Sequence, residues 1–370
     1  MGGKMRVLAL ETSCDDTCAA VLHDHGERVA LLSDLVSSQS IHAEFEGVVP
    51  ELASREHLRL LGPILRRALE VAGVGLRELD AVAVTSGPGL IGSLLVGVSL
   101  AKALAYALEL PVIGINHLEA HLAAPLLETG EAALAPPLVG LVASGGHTEL
   151  VEVREWGRWT LLGATRDDAA GEAFDKVAKL LGLGFPGGPA LARAAAGGDP
   201  RAHAFPRAWL GIERGGLDLS FSGLKTAVKL FLDDVGWPEA PADPAARKRF
   251  LADVAASFQA AVVDVLAAKL WKAAERTEIR TLLAAGGVAA NQALRRTLSL
   301  GAAERGLRLV LPSPKLCGDN AAMVGMAAIH HLRRGERSGY DLAAIPNLDD
   351  WDGHYVAATA EGAAGRRAKG

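Results

Sequence analysis

Two stretches of the chain follow the same plan of strand, turn and strand. The first is "RVLALETSCDDTCAAVLHD", which begins at Arg6, and the second is "LVGLVASGGHTELVEVRE", which begins at Leu138, about 130 residues later. Small and acidic residues form the first turn, and the sequence "SGG" forms the second. The repetition predicts a duplicated fold of two lobes, 1–135 and 136–355, divided near the proline-rich "ALAPPLVG".

The region between the two stretches alternates predicted strands and helices, as in "DAVAVTSGPGLIGSLLVGVSLAKALAYALELPVIGINHLEAHLAAPLL". That alternation favours a layered α/β fold over an all-helical one. From about residue 165 to 270 the apolar residues recur with a helical period, which predicts a helical insertion in the second lobe. The tail 356–370 is small, polar and basic, and we expect it to be disordered.

A third glycine-rich turn joins a buried strand to a helix in "IRTLLAAGGVAANQALRRTL". Paired glycines let a backbone approach a charged ligand closely, although many such turns contain glycine only for their backbone conformation. Three such turns in an α/β pattern favour a nucleotide cleft between two lobes. At the level of fold the chain resembles the actin, sugar-kinase and Hsp70 superfamily, which implies a duplicated actin-like ATPase fold but gives no function by itself.

Composition sets outer limits on the type of protein. The chain has 370 residues, 50% of them hydrophobic, which is ample for a buried core. Its formal charge of -5 gives no overall electrostatic attraction for nucleic acid, so such a substrate needs a local basic patch or a partner. The three cysteines cannot form a disulfide framework. The N-terminus passes into a strand without a signal-peptide pattern, and we expect a cytosolic protein with no membrane association.

Two histidines in "INHLEAHLAA" are candidate metal ligands. His117 and His121 are four residues apart, so on a helix they share one face and can point at one ion. Glu119 lies about 200° round the helix from each, unlike the glutamate of the zinc-peptidase pattern His-Glu-x-x-His, which disfavours a peptidase. The alternative is a polar pair of histidines without a ligand, and a third ligand would decide between the two.

Asp319 in "CGDNAAM" is the best candidate for that third ligand, although an aspartate at the start of a helix is ordinarily an N-cap. Two histidines and one carboxylate leave coordination positions open for a substrate, as a catalytic metal site requires. Zinc and iron(II) are both chemically acceptable to this set of ligands.

Seven ordered motifs resemble one family. They are "ETSCDDT", "NHLEAH", "ASGGHTEL", "DDAAGEAFDKVAKLLGLGFPGG", "LSFSGLKTAV", "AAGGVAANQAL" and "CGDNAAM". In order and spacing, over about residues 5 to 330, they look like the universal tRNA adenosine threonylcarbamoyltransferase family, formerly called glycoprotease-like. The resemblance implies transfer of a threonylcarbamoyl group from threonylcarbamoyl-adenylate to N6 of the adenosine next to the anticodon in tRNAs that read codons beginning with A. It also implies three protein partners: a non-catalytic paralogue that forms a heterodimer, a small P-loop ATPase and a separate synthase that makes the adenylate.

The resemblance also implies roles for individual residues. His117, His121 and Asp319 match the metal ligands of the family, and we expect iron(II) in preference to zinc. The residues that match its substrate-binding positions are Val142, Ala143, Ser144, Gly145, Gly146, Asp175, Gly188 and Asn291. Some relatives place an acid where this chain has Ala192, so one ribose contact is missing here or is replaced by Asp175.

Asp15 matches an acidic residue that faces the cleft in the family, and it is our candidate for the group that accepts the proton of the amine. A structural role for Asp15 in the hairpin turn is an equal alternative.

Two other functions remain alternatives at this point. A small-molecule O-carbamoyltransferase shares the metal-binding domain but usually has an additional carbamoyl-phosphate domain, for which 370 residues leave no room. A non-catalytic scaffold paralogue with the same fold has no use for an ion, so His117, His121 and Asp319 distinguish this chain from it.

Overall fold

The computed structural model describes residues 4–45, 47–210 and 216–347, so the tail predicted to be disordered lies outside the described residues. These residues form two mixed five-stranded sheets surrounded by helices. The strands are β1 Met5–Glu11, β2 Asp16–Asp24, β3 Val29–Ser38, β4 Ala81–Gly87, β5 Val112–Asn116, β6 Leu138–Ala143, β7 Thr148–Glu155, β8 Arg158–Ala164, β9 Thr281–Ala285 and β10 Arg308–Val310.

The ten α-helices of the described residues vary from one turn to more than nine. They are α1 Pro50–Ala72, α2 Ile91–Leu108, α3 His117–Ala123, α4 Leu126–Thr129, α5 Ala170–Leu180, α6 Gly187–Ala194, α7 Ser222–Val235, α8 Pro244–Thr277, α9 Gln292–Glu304 and α10 Ala321–Arg333. The α/β class predicted from the sequence is therefore confirmed.

The two sheets have the same strand order. The first is β3-β2-β1-β4-β5 and the second is β8-β7-β6-β9-β10. In both, the first three strands in chain order are antiparallel neighbours, the fourth pairs in parallel with the central strand, and the fifth pairs in parallel with the fourth. Because the carboxyl ends of parallel strands meet at one edge, the loops after β1, β4 and β5 converge there, as ligand-binding loops do in open α/β sheets.

Helices cover both faces of the first sheet because its strands are apolar on both faces. Alternate residues of β1 belong to different cores: Leu8 and Leu10 pack with α1 and α2, whereas Val7 and Ala9 pack with α10. Helix α10 thus packs against the first sheet although it follows the last strand of the second. The chain thus returns to the first sheet at residue 321, within the range predicted for the second lobe.

Helices α5 to α8 lie between β8 and β9 and share one apolar core with the second sheet. By length and composition alone, α2 and α8 could each cross a membrane. Helix α2, however, packs against β4 and α1, and α8 contributes many core residues, including Phe258 and Leu266. Core helices of water-soluble proteins pass the same test of length and composition.

Candidate metal centre

Helix α3 starts where β5 ends, and this junction places the two candidate histidines. The side chain of Asn116 accepts hydrogen bonds from the backbone N–H groups of Leu118 and Glu119, at 2.7 and 3.3 Å, and so caps the helix. His117 and His121 follow on one helical face, and both are buried, with 5% and 0% of their surface exposed. The predicted helical spacing of the pair is therefore present at the carboxyl edge of the first sheet.

Asp319 approaches both histidines from the loop that precedes α10. Its Oδ1 atom lies 3.5 Å from Nε2 of His117 and 3.3 Å from Nε2 of His121. Donor atoms on a tetrahedral metal with bonds of about 2.1 Å are about 3.4 Å apart, so both distances from Asp319 are those expected between ligands of one ion. One ligand atom from each of the three residues lies within 4.8 Å of the other two. They form the only such group of three or more candidate ligands in the described part of the chain.

The burial of His121 supports the same interpretation. Apart from Asp319, no described residue is hydrogen-bonded to either ring nitrogen of His121. Buried polar groups without partners are rare, because each loses its hydrogen bonds to water. A metal ion bound at Nε2 would satisfy this nitrogen, so the residues present fit a metal ion.

The charges at the centre are strongly coupled. Burial lowers the pKa of His117, but Asp319 and Glu11 outweigh that effect and raise it to about 9. Burial raises the pKa of Asp319, but His117 and His121 hold it well below its ordinary value. Burial lowers the pKa of His121. The carboxylates of Asp319 and Glu11 thus favour a positive charge close to them. A proton on His117 or a metal cation can supply that charge.

Glu11 contacts Nδ1 of His117, the ring nitrogen that does not approach Asp319. The sequence alone did not identify this residue. Its Oε2 atom lies 3.0 Å from Nδ1 of His117 and accepts a hydrogen bond from Thr85 at 2.5 Å. Its Oε1 atom accepts from the backbone N–H of Ser13 at 2.5 Å. Glu11 is fully buried, and His117 overcomes the effect of burial to hold its pKa below the ordinary value. The signals in the sequence are its position at the end of a buried strand and its place as the first residue of "ETSCDDT".

His147 is a second residue that sequence reasoning missed. Its backbone N–H donates to Ser144 Oγ at 3.2 Å, directly after the "SGG" turn. Burial and the two nearby histidines, His117 and His121, lower its pKa to about 4. Helix α3, which carries both histidines, packs against β6, the strand that leads into this turn. The signal for His147 is its place in "SGGHTEL", beside a turn already singled out.

The predicted phosphate-binding turn follows β6. Val142 and Ala143 are buried strand residues, Ser144 is 7% exposed, and Gly145 and Gly146 are exposed. Val142 and Ala143 can therefore contribute only backbone groups to a ligand, whereas the backbone of the two glycines is accessible to one.

Two other glycines approach this turn closely. The backbone N–H of Gly171, at the start of α5, donates to the carbonyl of Ser144 at 3.1 Å. Gly286 has a φ of +88° and leaves no room for a Cβ beside the carbonyl of Ala143. The second and third glycine-rich turns of the sequence thus lie side by side.

The remaining predicted substrate residues lie on the helices beyond this turn. Asp175 on α5 accepts a hydrogen bond from the backbone N–H of Gly187 at 2.8 Å, and burial and the charge of Asp15 raise its pKa. Nothing stands within 4 Å of a Cβ placed on Gly188.

Asn291 caps α9, because its Oδ1 accepts hydrogen bonds from the backbone N–H groups of Ala293 and Leu294. Its Nδ2 donates to Gln259 at 2.8 Å. Since Oδ1 already accepts two hydrogen bonds and Nδ2 donates one, a further contact to a substrate would use the second N–H of Nδ2.

Comparison with known sequences identifies similar proteins along most of the chain. The sequence model of the family described as TsaD, tRNA N6-adenosine threonylcarbamoyltransferase, matches residues 30–326. A tRNA N6-adenosine threonylcarbamoyltransferase of Anaeromyxobacter dehalogenans is 53% identical over 343 residues, which are 92% of this chain and 98% of that protein. One from Geobacter sp. is 52% identical over 92% of this chain and 96% of that protein.

Comparison with solved structures supports the fold. Full-length HypF, in a phosphate- and nucleotide-bound form, aligns with 89% of this chain and 46% of its own, at 14% identity and a TM-score of 0.56. The activator of the 2-hydroxyisocaproyl-CoA dehydratase from Clostridium difficile, with bound ADPNP, aligns with 89% of this chain and 96% of its own, at 14% identity and a TM-score of 0.50. At these identities the likeness concerns the fold alone, and it is consistent with the predicted actin-like ATPase fold.

Proposed function

The chain belongs to the tRNA N6-adenosine threonylcarbamoyltransferase family, and from this premise we propose the reaction and the residues that perform it. The protein is an enzyme that modifies tRNA. The proposed reaction moves the threonylcarbamoyl group from threonylcarbamoyl-adenylate to N6 of the adenosine 3′ of the anticodon in ANN-decoding tRNAs and releases AMP. The observation that carries the proposal is the packing of α3, which carries His117 and His121 of the candidate ligand group, against β6, the strand that leads into a glycine turn that suits a phosphate.

The chemistry of the donor defines what the site must do. The donor is a mixed anhydride, so its carbonyl is activated, while the exocyclic amine of adenosine is a poor nucleophile. The new bond joins N6 to the carbonyl carbon, the bond from that carbon to the AMP oxygen breaks, and N6 loses one proton. The site must therefore hold the amine in line and stabilise negative charge on the carbonyl and phosphate oxygens.

Residues of this chain are suited to both tasks. His117, His121 and Asp319 would hold the metal ion, which when bound supplies Lewis-acid stabilisation of those oxygens. The exposed backbone of Gly145 and Gly146 is suited to the phosphate.

Asp175 and Gly188 are the proposed contacts to the nucleoside or threonyl part of the donor, with Asn291 as a further contact through its remaining hydrogen-bonding capacity. We keep Asp15 as the proposed proton acceptor, because it lies in the turn between β1 and β2 of the first hairpin and matches an acidic residue of the family.

The donor atoms bear on the identity of the metal. Two imidazoles and one carboxylate suit iron(II), and this set of ligands leaves positions open for substrate oxygens. We propose iron(II) as the ion in the cell, with zinc as the alternative. Metal analysis of protein purified without added metal distinguishes them.

Family membership implies a tRNA substrate, and the proposal extends to protein partners. We propose a heterodimer with a non-catalytic paralogue of the same fold and a further contact with a small P-loop ATPase. We also propose a cytoplasmic location without membrane attachment, since the apolar helices α2 and α8 pack against other parts of the protein.

We keep as proposals the division of the chain into the lobes 1–135 and 136–355 and the insertion at about 165–270. The equal strand order of the two sheets supports an origin by duplication, and α5 to α8 occupy the proposed insertion. We add that α10 belongs structurally to the first lobe, because it packs against β1 and β2.

The reaction is tested by supplying radiolabelled threonine, bicarbonate, ATP, a synthase and the partner proteins, with an ANN-decoding tRNA transcript. Label in the modified nucleoside of that tRNA, and none in a transcript that decodes other codons, is the expected result. Absence of label with active partners and loaded metal would contradict the proposal and favour a small-molecule O-carbamoyltransferase.

A further inference from the structure

Glu119 lies between the two metal histidines in sequence but turns away from them in space. Its Oε1 atom lies 2.8 Å from Nε2 of His331, near the end of α10. Both residues are only 3% exposed, so this bridge is shielded from water. A buried bridge of this kind resists separation, because removing one partner leaves the other as an uncompensated buried group.

Helix α10 therefore contacts α3 at two places on opposite faces. At its N-terminal end, the preceding Asp319 reaches His117 and His121. At its C-terminal end, His331 reaches Glu119. His331 follows Asp319 by 12 residues, which corresponds to about 18 Å along a helix. The short helix α3 is held between these two contacts.

Two contacts on opposite faces fix the rotation of α3 about its own axis. His117 and His121 lie on one side of that axis and Glu119 on the other, since about 200° separate them. A rotation that moved the histidines away from Asp319 would also pull Glu119 away from His331. The spacing of the ligand atoms thus depends on the bridge as well as on the metal.

The C-terminal end of α10 is itself anchored to the second sheet. Nδ1 of His331 lies 2.5 Å from Glu336, and Arg334 donates to Glu336 at 2.8 Å. Arg334 also donates to the carbonyl of Trp156, between β7 and β8, at 2.8 Å. His331 is therefore a fixed point rather than a mobile side chain.

We propose that Glu119 and His331 are positioning residues of the metal centre: their bridge holds α3 in the rotation that aims His117 and His121 at Asp319. The inference rests on the proposed metal site and deepens it. Neither residue belongs to the group of candidate ligands.

The test is titration of the metal-free full chain with Co²⁺, followed by the visible absorption of the bound ion, which reports both affinity and coordination geometry. Glu119→Ala is expected to weaken Co²⁺ binding by about tenfold or more, as loss of a supporting contact does, and to change the spectrum. Glu119→Gln keeps an oxygen that can accept from His331, so it should bind within about threefold of the wild type.

Glu131→Ala is the matched control. Glu131 pairs with Arg333 at the same end of α10 and does not belong to the Glu119–His331 bridge, so its loss should leave Co²⁺ binding within about threefold of the wild type. If Glu119→Ala does not fold, the double variant Glu119→Leu, His331→Leu removes the bridge without leaving a lone buried charge. It is expected to show the same weakened binding.

The inference would be overturned if a variant without the Glu119–His331 bridge bound Co²⁺ as tightly as the wild type does. It would also be overturned if Glu131→Ala weakened Co²⁺ binding equally. Neither result would count against the metal site itself. If the wild type itself binds Co²⁺ no better than His117→Ala, both the inference and the metal site are wrong. Failure of the tRNA assay alone would count against the proposed reaction and not against the bridge.

Discussion

Nδ1 of His117 lies 3.0 Å from Oε2 of Glu11, a fully buried carboxylate at the end of β1. The other ring nitrogen of His117 faces Asp319. A carboxylate behind a ligating imidazole fixes the tautomer and orientation of the ring and raises its basicity. The centre is thus built from β1, α3 and the start of α10, which are far apart in sequence and adjacent in space.

Glu11→Gln is expected to weaken metal binding by about 10- to 100-fold, because a neutral amide supports the imidazole less strongly than a carboxylate does. Competition with a chromogenic chelator measures the change. Glu70→Gln, which alters an exposed glutamate paired with Arg67 on α1, is the control and should have no effect. Unchanged affinity in Glu11→Gln would show that Glu11 does not support the metal ligand.

Metal binding should release a proton at neutral pH. In the metal-free protein Asp319 and Glu11 overcome the effect of burial and raise the pKa of His117 to about 9, so His117 is protonated below that pH and must lose its proton to bind a metal. Affinity is therefore expected to rise by about tenfold per pH unit between pH 7 and 9. Calorimetry in buffers of different ionisation enthalpy counts the proton directly. An affinity that is flat over this range would contradict the prediction.

Gly171→Ala should disturb the phosphate turn and leave the metal centre intact. A Cβ at Gly171 would stand 2.5 Å from the carbonyl oxygen of Ser144 and 2.8 Å from Cα of Gly145, so the backbone of the turn must shift. Misplaced binding groups can reduce kcat/KM by about 100-fold. We expect a loss of this order with unchanged metal content.

Gly223→Ala on α7 is the control for Gly171→Ala, because a Cβ there has no neighbour within 4 Å. Its kcat/KM should match that of the wild type. Wild-type kcat/KM in Gly171→Ala would show that the turn does not bind the donor.

His330 should make the fold sensitive to acid. It is 8% exposed and stacks on Trp156, with ring centres 5.7 Å apart. Burial and the neighbouring Arg333 and Arg334 lower its pKa to about 3. At a pH between about 3 and the ordinary pKa of about 6.5, His330 binds a proton in the unfolded chain but not in the folded chain. The free energy of unfolding therefore falls as the pH falls, by about 1.4 kcal/mol per pH unit.

His330→Phe keeps a ring against Trp156 and removes this titration. Urea unfolding between pH 7 and 4 should therefore show a shallower loss of stability in the variant than in the wild type. Parallel pH profiles for the two proteins would exclude His330 as the source of the acid sensitivity.

Structural features that depend on residues close together in the chain could be predicted from the sequence. Alternating apolar segments and glycine turns predicted the α/β class, and the i, i+4 spacing predicted that His117 and His121 share a face, because helical geometry is local. Asp319 follows His121 by nearly 200 residues, and motif resemblance strengthened its link to the two histidines.

Contacts between distant elements were not predictable in the same way. No local pattern indicates that Glu11 lies behind His117, that His147 is close to the metal centre, or that Glu119 bonds to His331. These contacts depend on how β1, β6 and α10 pack together. The return of α10 to the first sheet likewise follows from its burial against β1 and β2, which a division of the chain by composition cannot detect.

The most direct test of the account is a single-turnover transfer from purified threonylcarbamoyl-adenylate to an unmodified ANN-decoding tRNA in the presence of the partner proteins. It compares the metal-loaded wild type with Asp319→Ala at equal folded concentration. We expect transfer by the wild type and a rate at least about 100-fold lower for the variant, because the charge that stabilises the reacting oxygens is lost. Transfer by Asp319→Ala at a rate similar to the wild type would show that the His117–His121–Asp319 centre is not where the reaction occurs.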